Sequence, residues 1–276
     1  MGVWAPTGAQ AASASNAIGL RVVRLVDPSR RIRLPDGNSE PRVLVTYVRY
    51  PAARGGGRWP LIVFAHGYAV TPAPYVRLMR AWAQAGYVVA APVFPLENAN
   101  APGGPNENDL INQPADVSFV ITHLLAALGG LVDPGRIAVA GHSDGGETML
   151  AVSYDGHFRD SRIRAAVILS GSQIPGTRAF RFPPGGPPLL AVQGTADTIN
   201  PPSLTHAFYD PAPRPKFLLS LLGAGHMPPY SSQHPQLDIV EQVTIAFLDR
   251  FFKHGSLRKV IASGSVPGIA ELSASP

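Results

Sequence analysis

The sequence predicts an α/β fold, a mostly parallel eight-stranded sheet with helices on both faces. Three observations carry the prediction. Apolar runs bounded by Gly and Pro alternate with stretches of helical spacing. Some of these runs are apolar without interruption, as in Trp59-Pro60-Leu61-Ile62-Val63-Phe64-Ala65, which is the pattern of a strand buried on both faces. One run, Ile137-Ala138-Val139-Ala140, stops at Gly141-His142-Ser143-Asp144-Gly145, and a helix-like segment follows to about Tyr154. That is strand, sharp turn and helix, with a serine at the apex.

The elements follow in order. Residues 20–26 alternate and are rich in Val, and 41–50 alternate again; the Pro35-Asp36-Gly37-Asn38 turn between them makes the pair a candidate antiparallel hairpin. After a Gly-rich loop at 54–58 comes the third strand, 59–65. Residues 74–85 have helical spacing, and 87–94 form the fourth strand. A loop rich in Asn, Pro and Gly runs from 95 to about 108, and 109–128 is the longest helix candidate. Asp133-Pro134-Gly135 reads as a turn before the fifth strand at 137–140. Strands six, seven and eight are 165–170, 188–193 and 216–222, and a helix over 235–252 closes the unit. No repeat is evident. The simplest division is a flexible N-terminal segment over 1–19, one domain over 20–253 and a Ser- and Gly-rich tail over 254–276.

Composition narrows the function. The 276 residues are 45% hydrophobic and 15% charged, a globular balance with ample material for a core. Net charge is +5, but the Arg residues are scattered, so no nucleic-acid partner is implied and a mild attraction to anionic surfaces is the expected consequence. With no cysteine, disulfides, thiolate metal sites and a cysteine nucleophile are excluded. No apolar run reaches the length of a membrane span. Ala9-Gln10-Ala11 matches the end of a secretory signal whose charged start and apolar middle are missing. Two readings stay open: a chain that begins near or inside a removed signal, which would make the protein secreted or extracellular, and an ordinary N-terminal segment, which leaves the cytoplasm open.

Gly141-His142-Ser143-Asp144-Gly145 fits the Gly-x-Ser-x-Gly nucleophile elbow, which exposes a serine hydroxyl at the edge of a sheet. With 28 Gly in the chain the bare pattern arises easily by chance, so its strand-to-helix setting carries the weight. A serine needs a base, and the base needs an acid to orient it, in the chain order Ser, acid, His. Asp197 lies four residues past the seventh strand; Asp210 is the rival, and a helix cap is the alternative role for Asp197. His226 follows the eighth strand in Gly223-Ala224-Gly225-His226, a loop able to bring the ring back to the serine, with His234 and His206 as rivals. The oxyanion would be met by the backbone N–H groups of Asp144 and of Tyr68, in His66-Gly67-Tyr68 after the third strand. His66 is expected to shape that loop, and His142 to pack beneath the elbow. No His-Glu-x-x-His or comparable ligand spacing points to a metal.

Taken together these residues resemble the α/β-hydrolase serine esterases, in particular the dienelactone hydrolases and cutinase-like polyester hydrolases, over about 20–252. The resemblance implies carboxylic ester hydrolysis through an acyl-enzyme, with an ester substrate, no cofactor and no protein partner. Short-chain or exposed esters are expected, with polyesters in view; Tyr68, Ile174 and Ile199 are the candidate substrate contacts. Acyl transfer, amide cleavage and non-catalytic binding on the same fold remain as alternatives. The chain departs from the group in having Ser143 where dienelactone hydrolases use Cys. It also has Asp144 where polyester-cleaving relatives carry Met, and no aromatic residue in Ser170-Gly171-Ser172-Gln173-Ile174-Pro175. The direction of the Asp144 side chain is left open, as helix electrostatics or as a wall of the cleft. Residues 171–187, where many lipases insert a lid, have no helical period, so an open cleft without a large lid is expected.

Overall fold

A computed structural model describes residues 17–52, 57–177 and 181–276. The expected N-terminal segment as far as residue 16, and residues 53–56 of the expected Gly-rich loop, lie outside the described residues.

The sheet is built from β1 (Ile18–Arg33), β2 (Ser39–Pro51), β3 (Trp59–Ala65), β4 (Val88–Val93), β5 (Val132–His142), β6 (Ile163–Leu169), β7 (Leu189–Gly194), β8 (Lys216–Leu221) and β9 (Ala270–Ser275). Their order across the sheet is β1-β2-β4-β3-β5-β6-β7-β8-β9. Strands β4 through β8 run parallel, while β1 and β2 form an antiparallel hairpin at one edge and β9 pairs antiparallel with β8 at the other. Strand alternation divides the core in two. Ile62 and Phe64 of β3 face a layer made by α1 (Val76–Gln84) and α6 (Gln236–Phe252), whereas Leu61, Val63 and Ala65 face α2 (Gln113–Ala127), α3 (Asp144–Tyr154) and α4 (Pro202–Tyr209). The uninterrupted apolar runs of the central strands are thus explained by helices on both faces. Trp82 of α1 donates its indole N–H to Thr244 of α6 at 2.8 Å, so the polar tip of a large buried ring is satisfied inside the layer.

The structure corrects the expected elements in four places. The sheet has nine strands, because the stretch expected to be an irregular tail carries α7 (Leu257–Gly264) and β9. Ala, Glu, Leu and Ser give β9 weak strand propensity; six paired residues along β8 supply what the residue types do not. β1 starts at Ile18 and runs past the expected end through an irregularity between Asp27 and Arg31, where Pro28 interrupts the alternation and the Ser29 N–H turns to the Asp27 carboxylate. Asp133-Pro134-Gly135 does turn, with the Asp133 carboxylate accepting from the Gly135 N–H at 2.8 Å, but as a bulge inside β5 rather than before it. Finally, the helix expected from Asp109 begins at Gln113, after a 3-10 turn over Glu107–Asn112. Among the described residues between β6 and β7 there is no helix, and among the described residues no helix is long and apolar enough to cross a membrane.

Candidate active site

The elbow is held in a conformation that its glycines make possible. Ser143 has φ 56° and ψ −126°, a backbone state that costs a non-glycine residue on the order of 1–3 kcal/mol and persists only where its surroundings enforce it. The enforcement is steric. A Cβ on Gly141 would lie 2.1 Å from the Gly145 carbonyl oxygen, and a Cβ on Gly145 would lie 2.3 Å from that of Ala65. Strand β5, helix α3 and the end of β3 therefore pass at backbone contact, and Ser143 is the residue that must turn.

Three loops at the carboxyl ends of the parallel strands then meet the serine. His226 Nε2 stands 2.9 Å from Ser143 Oγ, and its Nδ1 stands 2.8 Å from Asp197 Oδ2. The Asp197 carboxylate also accepts from the N–H groups of Ile199 and Asn200 at 3.0 and 2.9 Å, which leaves Nδ1 as the protonated ring nitrogen facing the acid. The loops that carry Asp197 and His226 are laced together: Ala196 N–H donates to the Ala224 carbonyl at 3.0 Å, and Gly223 N–H to the Thr195 hydroxyl oxygen at 2.8 Å. Gly194 is required here, since a Cβ would fall 2.5 Å from the Ala224 carbonyl oxygen. The rivals are engaged elsewhere. Asp210 meets His206 on the exposed end of α4, and His234 meets Asp238 and Arg77.

His66 and His142 brace this arrangement as buried neutral rings. His66 donates from Nδ1 to the Gly67 carbonyl and accepts at Nε2 from the Phe94 N–H, so it fixes the loop after β3 to the loop after β4. His142 accepts from the Tyr75 hydroxyl at Nδ1 and donates from Nε2 to the carbonyl of His226 at 3.0 Å. Burial pushes His66 down to about 4, and burial together with the neighbouring His226 pushes His142 down to about 3. His142 therefore does more than pack beneath the elbow: it holds the backbone of the residue whose ring faces the serine.

The side of the expected oxyanion donors is equally close. A Cβ on Gly67 would lie 3.1 Å from the Ser143 Cβ, which puts the His66-Gly67-Tyr68 turn directly against the serine. The Asp144 N–H is the first of α3 and has no acceptor within the helix, and the Tyr68 N–H has no hydrogen-bond acceptor among the described residues. Of the three candidate substrate contacts, Tyr68 is 43% exposed with its hydroxyl donating to the Pro105 carbonyl, and Ile199 is 67% exposed beside Asp197. Ile174 is turned inward instead, 5% exposed and packed with Leu110 and Ala151, because the loop after β6 folds back onto α3. No group of His, Asp and Glu among the described residues is arranged to hold a metal ion.

Sequence reasoning passed over one of the carboxylates behind the elbow, Glu97. Glu97, Asp144 and Glu147 are all buried, and Glu147 accepts from the Ser172 hydroxyl at 2.5 Å. Glu97 lies in the irregular loop after β4, where no motif marks it.

Among solved structures the chain is similar to a ferulic acid esterase from Streptomyces cinnamoneus, with a TM-score of 0.69 over 90% of this chain and 94% of that one. At 21% identity that likeness speaks for the fold alone, which is the α/β-hydrolase fold. Among curated proteins it is similar to Chlorophyllase-2 of Arabidopsis thaliana, 28% identical over 141 residues; the match takes in 49% of this chain and spans 41% of the length of that relative. The family model described as Chlorophyllase matches residues 31–174, a stretch that includes His66-Gly67-Tyr68 and Ser143 and stops short of Asp197 and His226. With just over half of its length matched, the chain belongs to the chlorophyllase family.

Proposed function

We propose that the protein is a serine carboxylic ester hydrolase in which Ser143 is the nucleophile, His226 the base and Asp197 the acid that orients it. The single observation that carries this reading is the unbroken line from Ser143 Oγ through His226 to Asp197, at 2.9 and 2.8 Å, on an elbow whose backbone is held at φ 56°. Membership of a family named for an esterase, and a fold shared with another esterase, support the same reaction class.

The steps follow from the geometry. His226 Nε2 takes the hydroxyl proton as Ser143 Oγ attacks the ester carbonyl carbon. The carbonyl oxygen becomes an oxyanion, received by the N–H groups of Asp144 and Tyr68. The ester C–O bond breaks, His226 returns the proton to the departing alcohol, and an acyl-serine remains. Water then enters by the same route: His226 takes its proton, the hydroxyl adds to the acyl carbon, and the serine leaves reprotonated.

The lack of a helix among the described residues between β6 and β7, with Tyr68 and Ile199 exposed, supports short-chain or exposed esters over long triglycerides. Polyesters are proposed as a second tier of substrate. The relatives are named for chlorophyll and ferulic acid, so esters of both kinds belong in the test panel. Ser143→Ala is expected to lower kcat/KM on an activated ester by 10⁴-fold or more, on the order seen when a catalytic unit loses a member, with the fold intact. His226→Ala should follow closely and Asp197→Ala fall less. Turnover near wild type in purified Ser143→Ala would refute the reading. Release of free acid, with no new ester or amide when an alcohol or amine is added, separates hydrolysis from acyl transfer.

A further inference from the structure

The loop after β4 brings a second carboxyl group to the first residue of α3. Ala69 N–H donates to the Glu97 carbonyl at 3.0 Å, so this loop is tied to the oxyanion turn, and the Glu97 side chain, 0% exposed, lies in hydrogen-bonding contact with that of Asp144, 8% exposed. Taken as two carboxylates the pair makes no physical sense. Both Glu97 oxygens and Asp144 Oδ2 would be buried acceptors with no donor. No cation relieves them: among the described residues neither forms an ion pair, and His66, whose ring feels the Asp144 charge, is neutral. The other groups that act on them make matters worse. Asp109 and Glu107 on the 3-10 turn and Glu147 on α3 are acidic, Arg42 is taken up by Asp109 and Asp116, and Tyr75 keeps its hydroxyl proton.

Resting on the proposed esterase reading, we propose that Glu97 is a positioning residue whose carboxyl stays protonated and donates that proton to Asp144, so that the pair carries one negative charge beside the nucleophile. The shared proton gives Glu97 and Asp144 Oδ2 a partner where neither has one otherwise. The remaining charge lies at the N-terminus of α3, where the helix dipole favours it. Two consequences reach the reaction. The N–H of Asp144 is a proposed oxyanion donor, and a second negative charge behind it would oppose the oxyanion that forms there. The Ser143 hydroxyl also lies 3.4 Å from Asp144 Oδ1, so a proton from Glu97 that occupies this carboxylate leaves His226, at 2.9 Å, as the better acceptor for the serine. Burial first, then the contact with Asp144, then the charges of Asp144, Asp109 and Glu107 push Glu97 up to about 10, in keeping with a group that is neutral at physiological pH.

Infrared difference spectroscopy on the full-length protein at pH 7 reads the proton without turnover. Wild type should show the carbonyl stretch of a buried protonated carboxylic acid that Glu97→Gln removes and Asp144→Asn shifts. Glu147→Gln serves as the control, since burial also pushes Glu147 up, and it should leave the Glu97 band in place. In activity, Glu97→Gln, which keeps a donor toward Asp144, should stay within about threefold of wild type at neutral pH, while Glu97→Leu, which leaves Asp144 unpartnered, should lose about tenfold or more in kcat with little change in KM. Wild type should lose kcat/KM as the pH approaches 10 and Glu97→Gln should not. A wild-type spectrum with no such band, a band untouched by Glu97→Gln, or equal alkaline losses in both proteins would overturn the proposal. Because the band does not depend on turnover, failure of the esterase reading through an active Ser143→Ala would be seen separately.

Discussion

His142 shows how a residue beside the proposed nucleophile acts without touching the chemistry. Its Nε2–H holds the carbonyl of His226, and its Nδ1 is held by Tyr75, so the loop that carries the proposed base is anchored to the turn before α1. Removing the ring frees that carbonyl, and loss of a buried hydrogen bond of this kind is worth about 1–3 kcal/mol. His142→Ala is expected to lower kcat by about ten- to a hundredfold while Ser143 still reacts with an organophosphorus titrant. Full kcat in a folded variant would refute the anchoring role. At this scale, residues that follow a pattern were legible in the sequence. Ser143, Asp197 and His226 each stand just past a strand, and the glycines at 141 and 145 announce a close approach, so tight in the structure that a Cβ on either would lie 2.1 or 2.3 Å from a carbonyl oxygen. Residues whose meaning lies in a partner far along the chain were not. Tyr75 reaches His142 across 67 positions, and Glu97 meets Asp144 from a loop with no period or motif. Ile174 is turned inward, which the sequence could not show, because an apolar residue after a strand reads the same whether it faces a cleft or the interior.

At the scale of elements, the edge hairpin is locked to the rest of the domain by charge. Arg42 of β2 makes four hydrogen bonds of 2.6–2.8 Å to Asp109 on the 3-10 turn and Asp116 on α2, all three residues being buried. Such a cluster contributes little net stability when intact, yet it is costly to break, because Asp109 loses its cation and Asp116 keeps only the part-exposed Arg30, at 2.8 Å. Arg42→Met is therefore expected to destabilise the fold by about 3–5 kcal/mol, read from denaturant midpoints. Arg42→Met combined with Asp109→Asn and Asp116→Asn should recover much of that loss, and if the triple variant were as unstable as the single one, the account would be wrong. The elements themselves were legible where their period was clean, as in β3, β8 and α6. They were not where tertiary pairing overrode residue type: β9 is a strand because β8 offers it an edge, and the run from Asp109 opens as a 3-10 turn whose Asp109 faces Arg42.

For the molecule as a whole, the interior holds more acid and more imidazole than its net charge of +5 suggests, and this sets how stability depends on pH. The composition gave no hint of it, because burial, not residue count, moves a pKa. Glu97 and Glu147 are pushed up to about 10 and about 8, both chiefly by burial; for Glu97 the contact with Asp144 adds, while for Glu147 the Ser172 hydroxyl opposes. Above the ordinary glutamate value of 4.5 the native protein keeps protons that the unfolded chain has released, so stability falls as pH rises, through about 8 for Glu147 and about 10 for Glu97. Asp116 and Glu241, also pushed up chiefly by burial, act in the same sense. His66 and His142 are pushed down from 6.5, to about 4 and about 3. Above 6.5 they are neutral in both states and contribute no slope; below it the unfolded chain takes up protons that the native rings refuse, so stability falls as pH falls. Between 4.5 and 6.5 the two pairs oppose each other. Thermal unfolding is thus expected to give the highest midpoint in that interval and a decline from pH 6.5 to 9. Glu97→Gln and Glu147→Gln should each flatten the decline, by at most about 1.4 kcal/mol per pH unit for one proton, with Glu147→Gln losing its effect above pH 8 and Glu97→Gln keeping it. A midpoint that rises between pH 6.5 and 9, or a wild-type slope retained by both variants, would mean that these carboxyl groups are ionised in the native protein.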